Sequence, residues 1–588
     1  MSIIERIKKG CISYYSFASL LNHISYLLMN IKELQNDIPY LICINAFAKK
    51  LSSYTFSVYQ DLSVNQDVPH CIKAETNRVI LRGCLEATLI ADILINNPKL
   101  QKNFYDNLYD DIKRINKIYN DSSKIRLKYY SAFDDEDNEG AKFAKRYTWL
   151  PKIRKKRANS MKDLLNYIEG LNDFDINYYE VLIKALDLYA HPSFYLSKLL
   201  TNSENNLRLV EMVFRKDGIV YQLVDSLIDT FKYFDDKLPN HKIQEYLLAS
   251  LDNEHEIMSV NDVDMNKLNL SLISNVEHYT PKQVAYYFSV VSKLEDSYTA
   301  LSSFLPSSIH ELSNAIKMVS MIISTNYPKN FKNMTIKKLL DDLYPRYDDM
   351  IISYFRNDIQ GFYAQCRYLI EAVATLYIIL DEDEERSQVY HIHQDIKGYD
   401  FQQVSAQFNH KATGDSDQFE RIIEENKNEL ISNLNFVREY YLKNFNTYFE
   451  DNVLSRLNGW ALFLRELNND KVPNAPALIS YSVSKITKNL PDILSNNINF
   501  ADFSLGLYEE SCAYSHVTSY AWYNSLYALK DKSIFKQQFI VVNLLVNLIV
   551  NMITDGYNFE NIISGELLDQ LDTNFNLGMS RLLLNYLK

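Results

Sequence analysis

Glycine and proline are scarce: 13 of each in 588 residues, about 4% together where ordinary usage is about 12%. A chain so poor in turn-formers cannot make the many tight turns of a β-sandwich, barrel or propeller. The six cysteines (Cys11, Cys43, Cys71, Cys84, Cys366 and Cys512) form no C-x-x-C pair, which excludes the usual zinc spacings and a dense disulfide framework. Such usage reads as a reduced, cytoplasmic protein. Basic residues are outnumbered 62 to 74, giving a net charge of −12, so the whole surface is no glove for nucleic acid. No long hydrophobic run is present. The most apolar stretch, Phe539 to Ile553, has about two-thirds of the length a bilayer needs and carries Asn543, Asn547 and Asn551 along one helical stripe. Near the N-terminus, Ser13, Ser16 and Asn22 interrupt what would be a signal-peptide core. A phosphate-binding Gly-rich loop, H-E-x-x-H and G-x-S-x-G are all missing. No membrane, metal or cofactor is expected.

What is present is helical periodicity. Ala285, Phe288, Val291 and Leu294 recur at threes behind Thr280-Pro281, a helix-start signal. Ser308 with Glu311 reads as a capping box opening the run 315–323. At 588 residues, 47% of them hydrophobic, the chain exceeds one core. The expectation is an all-α protein.

A long-period duplication organises it. Arg82-x-x-x-Glu86-Ala87 opens one aliphatic run, and Arg367-x-x-x-Glu371-Ala372 opens another. Downstream, Tyr189-Ala190-His191-Pro192-Ser193 is echoed by Tyr514-Ser515-His516-Val517-Thr518, and Leu223-Val224-Asp225 by Leu545-Val546-Asn547. Two tandem related helical-bundle domains are therefore expected, 1–245 and 275–588, packed as a pseudo-symmetric pair. Residues 246–274 are read as a linker, and 420–467 as a helical insertion lengthening the second copy.

Arg82 and Glu86, like Arg367 and Glu371, lie four apart on one helix face inside apolar sequence. A buried guanidinium must satisfy five donors, and the repeated polar partners are the carboxylates and histidines. Arg82, Glu86 and His191 are thus expected to converge in the first copy, and Arg367, Glu371 and His516 in the second. A closed cluster would be structural; an open one would suit a small anionic ligand.

Two features are not repeated. Arg386 and His391 have an Arg-x4-His spacing; if they converge, the Arg can stabilise a pentavalent phosphate and the His can move a 2′-hydroxyl proton. His391 with His393 lacks a carboxylate at fixed spacing to complete a metal site. Residues 142–162 contain Lys145, Arg146, Lys152, Arg154, Lys155, Lys156 and Arg157 without one acid, interleaved by Phe143, Tyr147 and Trp149. Cations for phosphates and ring faces for bases suit RNA or another single-stranded nucleic acid. The acidic run 134–139 just before it could neutralise this patch.

The Arg-x-x-x-Glu-Ala helix with its Tyr-x-His partner resembles a duplicated, uncharacterised family of bacterial all-helical proteins. With the Arg386/His391 spacing, it is also reminiscent of the HEPN superfamily. That resemblance implies helical bundles and, in many members, metal-independent ribonucleases of phage-defence systems that pair an Arg and His from each of two domains. Here Ser387 follows the Arg where a polar Asn, Asp or His is usual, and the first copy lacks the motif. The expectation is a non-enzymatic sensor or scaffold in bacterial antiviral defence or stress, engaging nucleic acid, a protein partner or a second copy; the alternative is a HEPN-like ribonuclease.

Overall fold

The computed structural model describes residues 2–29, 31–64, 77–104, 147, 149–153, 158, 160–192, 203–216, 218–238, 243–252, 308–355, 358–413, 416–488, 499–516 and 532–559. Every regular element among them is a helix, as the scarcity of turn-formers requires. The first half contributes α1 (Ile3–Met29), α2 (Ile38–Val64), α3 (Val79–Asn96), α4 (Asp173–Asp187), α5 (Ser203–Phe214), α6 (Ile219–Asp229) and α7 (Ile243–Asp252). The second contributes α8 (Ser308–Asn326), α9 (Phe331–Phe355), α10 (Ile359–Asp381), α11 (Glu384–Thr413), α12 (Ser416–Phe445), α13 (Ala475–Ile486), α14 (Phe500–Ser515) and α15 (Lys532–Gly556). Shorter helical turns join them. The segment expected to be helical around 285–294 lies outside the described residues. The helix α7 runs seven residues into the stretch read as linker, and the expected insertion is occupied by α12 and a 3₁₀ segment, Gly459–Asn468.

Two hydrophobic cores form. One gathers residues from Ile7 to Leu247 and the other from Ala315 to Phe559. Consecutive helices pack on each other in both: α1 on α2 and α2 on α3, then α8 on α9 and α9 on α10. The cores touch at α10, whose Ala364 belongs to the first. Both α3 and α10 are apolar nearly all round and buried along almost their full length, the property of a central helix. The Asn96-Asn97-Pro98 sequence stops α3, while Asp358 caps α10 by accepting from Gly361 N.

α15 also follows from its sequence. It is one helix long and apolar enough to cross a membrane, and 67% of its most apolar window is buried inside the protein. Its stripe of amides meets polar neighbours: Tyr347 Oη donates to Asn543, and Asn551 Nδ2 donates to Asn547 Oδ1 at 3.3 Å.

The seam between the cores is polar. Ser53 Oγ donates to Asp358 Oδ2 at 2.7 Å, and Gln365 Nε2 donates to Asn77 Oδ1 at 2.6 Å. Lys50 reaches from α2 across the seam, donating to Gln360 Oε1 at 3.1 Å and to the Tyr514 carbonyl. It passes over Gly83, where an added Cβ would sit 2.6 Å from Lys50 Cδ. Gly83→Ala should therefore displace Lys50 and lower the unfolding free energy by roughly 1–3 kcal/mol, an overpacking cost readable in urea titration. Burial pushes the Lys50 ammonium down to about 8. Between pH 8 and the unfolded value near 10.4, the unfolded chain holds a proton that the folded chain has lost, so stability rises with pH. Relative to Lys50→Met, the wild type should gain up to roughly 3 kcal/mol across that window. Parallel pH profiles of unfolding would refute this.

Candidate functional site

Both duplicated histidines lie at or just beyond a helix end, not within a helix. His516 caps the C-terminus of α14, and His191 follows α4 after the turn 188–190. This position frees each ring to leave its own core and reach the other. Arg82 Nη1 lies 3.1 Å from Nδ1 and 3.2 Å from Nε2 of His516, and His516 Nδ1 is 2.6 Å from Glu86 Oε2. Arg367 Nη2 lies 3.3 Å from His191 Nε2, and His191 Nδ1 is 2.7 Å from Glu371 Oε2. The expected grouping is thus corrected. Arg82 and Glu86 meet His516, and Arg367 and Glu371 meet His191: each Arg–Glu helix takes the histidine of the opposite half.

A tyrosine completes each cluster. Tyr147 Oη donates to Glu86 Oε1 at 2.5 Å, and Tyr508 Oη donates to Glu371 Oε1 at 2.7 Å. The backbone beside each histidine is held from across the seam as well. Lys50 binds the Tyr514 carbonyl, and Arg346 Nη2 donates to the Tyr189 carbonyl at 2.9 Å. Arg346 is fully buried, with its guanidinium 3.6 Å from the centre of the Tyr368 ring. Neither Lys50 nor Arg346 stood out in the sequence. The only available signal was Asp342 four residues before Arg346, an i,i+4 pair in a helix that carries several other charges.

The two clusters differ in access. The His516 and Glu86 side chains are 1% and 0% exposed. Those of His191 and Glu371 are 20% and 8% exposed, and both line a cavity of about 340 Å³ that Arg82 and Asp187 also reach. Asp187, at the end of α4, accepts from Arg82 Nε and joins the two clusters. Burial would raise its carboxyl, but Arg82, His191 and Arg367 hold it below the ordinary range. Burial likewise opposes ionisation of Glu371, and His191, Arg367 and the Tyr508 hydroxyl overcome it. The Arg367 guanidinium is held more strongly protonated than usual; burial opposes this, and Cys512, Tyr508, Glu371 and Asp187 outweigh it. Its Nε and Nη1 nevertheless have no hydrogen-bond acceptor among the described residues.

His191 links a carboxylate to a guanidinium, with Nδ1 2.7 Å from Glu371 Oε2 and Nε2 3.3 Å from Arg367 Nη2.

Arg386 and His391 face different neighbours. Arg386 pairs with Glu382, donates from Nε to Tyr440 Oη at 3.2 Å and stacks on Phe463. His391 meets the edge of Phe331 with centroids 5.4 Å apart. Five residues on a helix turn them well away from each other. His393 is wholly buried; burial and the Lys397 ammonium push it down to about 3, and its Nε2 binds the Arg456 carbonyl at 2.8 Å. In the basic segment, Lys145, Arg146, Arg154, Lys155, Lys156 and Arg157 lie outside the described residues, and Lys152 is exposed. Trp149, expected as a stacking platform, is instead buried edge-on against Phe104 at 5.2 Å, and Tyr147 is buried on Glu86. Both aromatics anchor the segment to the first core because ring area is worth more inside than out. Among the described residues no group of three His, Cys, Asp or Glu side chains is placed to hold a metal.

Breaking the two clusters should cost different amounts. His516→Ala leaves Glu86 and Arg82 buried and short of a partner, for a loss of roughly 3–5 kcal/mol. His191→Ala opens a site that water can fill, for a loss of roughly 1–2 kcal/mol. Equal shifts of the urea midpoint in the two variants would contradict this asymmetry. No family model matches the chain, and no curated protein or solved structure matches it either.

Proposed function

We propose that the chain is a non-enzymatic helical sensor or scaffold built from two related halves, 1–245 and 275–588, that face each other as a pseudo-symmetric pair. The observation that carries this reading is the reciprocal exchange of His191 and His516 between the two Arg–Glu helices. Reciprocity of this kind is what two copies of one bundle inherit from a symmetric dimer, where residue i of one meets residue j of the other. It couples the halves through buried charge, so any event that parts them must break several charge-assisted bonds together. A junction with that property suits a switch between a latched and an unlatched state.

The surface proposed for a partner is the basic segment 142–162, of which Tyr147 and Trp149 are buried in the first core and Lys152 is exposed. Clustered lysines and arginines of this density favour a polyanion, and single-stranded RNA in a bacterial defence or stress response is the partner proposed. The alternative, a metal-independent ribonuclease using Arg386 and His391, draws no support from two side chains with separate neighbours.

Mobility-shift titration of the full chain with labelled single-stranded RNA tests this reading. Binding should weaken at least tenfold when Lys152, Arg154, Lys155, Lys156 and Arg157 are changed to alanine together, and the RNA should remain intact. RNA cleavage that disappears in Arg386→Ala or His391→Ala would overturn it in favour of the ribonuclease.

A further inference from the structure

The cavity between the halves is lined by members of the cross-seam clusters together with basic and aromatic residues outside them. At about 340 Å³ it holds the volume of roughly ten waters and falls in the size range of small-molecule sites. Its polar wall brings Arg82 from α3, Lys184 from α4 and Lys397 from α11 around one space, against the carboxylates of Asp187 and Glu371. Three basic residues and two acids line it in a chain whose overall charge is −12, with Arg82 also bonded to Asp187 and His516 and Lys397 to the Ser455 carbonyl. Behind His191 stands the buried Arg367, with two nitrogens lacking acceptors. The local field therefore favours an anion although the protein as a whole repels one. Tyr390, Phe401 and Trp460 add aromatic surface to the lining, and Tyr390 meets Trp460 edge-on at 4.7 Å.

We propose that this cavity binds a phosphorylated heteroaromatic molecule of the size of a nucleoside monophosphate. A phosphate offers three oxygens to cations on three separate helices, where a carboxylate offers two. Inorganic phosphate would leave most of the cavity empty, and a flat ring has the aromatic surface to lie against. Because Arg82 and Lys184 belong to the first half and Lys397 to the second, the ligand bridges the seam. Binding therefore strengthens the latch and raises stability by mass action. The proposal deepens the sensor reading, on which it rests for its consequence: it names what the junction senses.

Calorimetric titration and thermal melting of the full chain with AMP, GMP, CMP and UMP test it, with adenosine and inorganic phosphate as half-probes. At least one nucleotide should bind in the micromolar range and raise the melting temperature by several degrees. Adenosine and phosphate should each bind at least tenfold more weakly. Lys184→Gln and Lys397→Ala should each weaken nucleotide binding at least tenfold; Lys184→Gln, at a partly exposed position, keeps the test informative if Lys397→Ala melts early. Absence of binding by all four nucleotides below millimolar concentration would overturn the proposal. So would phosphate binding as tightly as the nucleotide, or nucleotide binding unchanged in both variants. RNA binding by segment 142–162 is read separately, so failure here leaves that result intact and failure there leaves this one.

Discussion

Two guanidinium groups buried between two hydrophobic cores constrain this protein more than any other feature. Arg82 and Arg367 lie on helices that are apolar on nearly every face, so water cannot satisfy their donors. A buried charge without partners costs several kcal/mol, and the surrounding fold has to supply those partners. Each helix provides one, the glutamate one turn on. The histidine of each cluster comes from the opposite half, while Asp187, Tyr147 and Tyr508 reach Arg82, Glu86 and Glu371 from their own halves. His191 and His516 sit at or just beyond helix ends. The polar seam, the cap at Asp358 and the crossing of Lys50 over Gly83 all serve the same close approach.

The clusters share their parts but not their solvent access. At Glu86 and His516 the first core closes over the charges, and Tyr147 donates to Glu86. At Glu371 and His191 the equivalent tyrosine, Tyr508, comes from α14 inside the second core, and the histidine's outer side is left facing a cavity. The cluster at His516 is closed to solvent, while that at His191 faces the cavity. Asp187 joins them electrostatically, so a change of charge in the cavity is felt at Arg82 and through it at His516.

The basic segment shows how composition misleads about surfaces. Cations and aromatics interleave there, which is the composition of a nucleic-acid platform, yet Trp149 and Tyr147 spend their rings inside the first core. Sequence records which side chains are adjacent along the chain, not which face the solvent. Arg386 and His391 illustrate the same limit. Their spacing is compatible with convergence only where the backbone departs from a helix, and α11 runs through both without interruption.

The sequence by itself determined the all-helical class, because so few glycines and prolines leave no other regular structure open. It also marked the polar residues that meet at the seam: Arg82, Glu86, Arg367, Glu371, His191 and His516 stand out as charges and acceptors repeated within apolar runs. The amide stripe of α15 was legible for the same reason. Only the tertiary structure decided who pairs with whom. A histidine meeting the arginine of its own half and one meeting the arginine of the other half require the same local residues, helix ends and spacing, so pattern cannot separate them. The choice is made by how two cores pack, which depends on surface shape summed over several helices. That packing also left one cluster open, and recruited Lys50, Arg346 and Asp187, whose roles exist only where the halves meet.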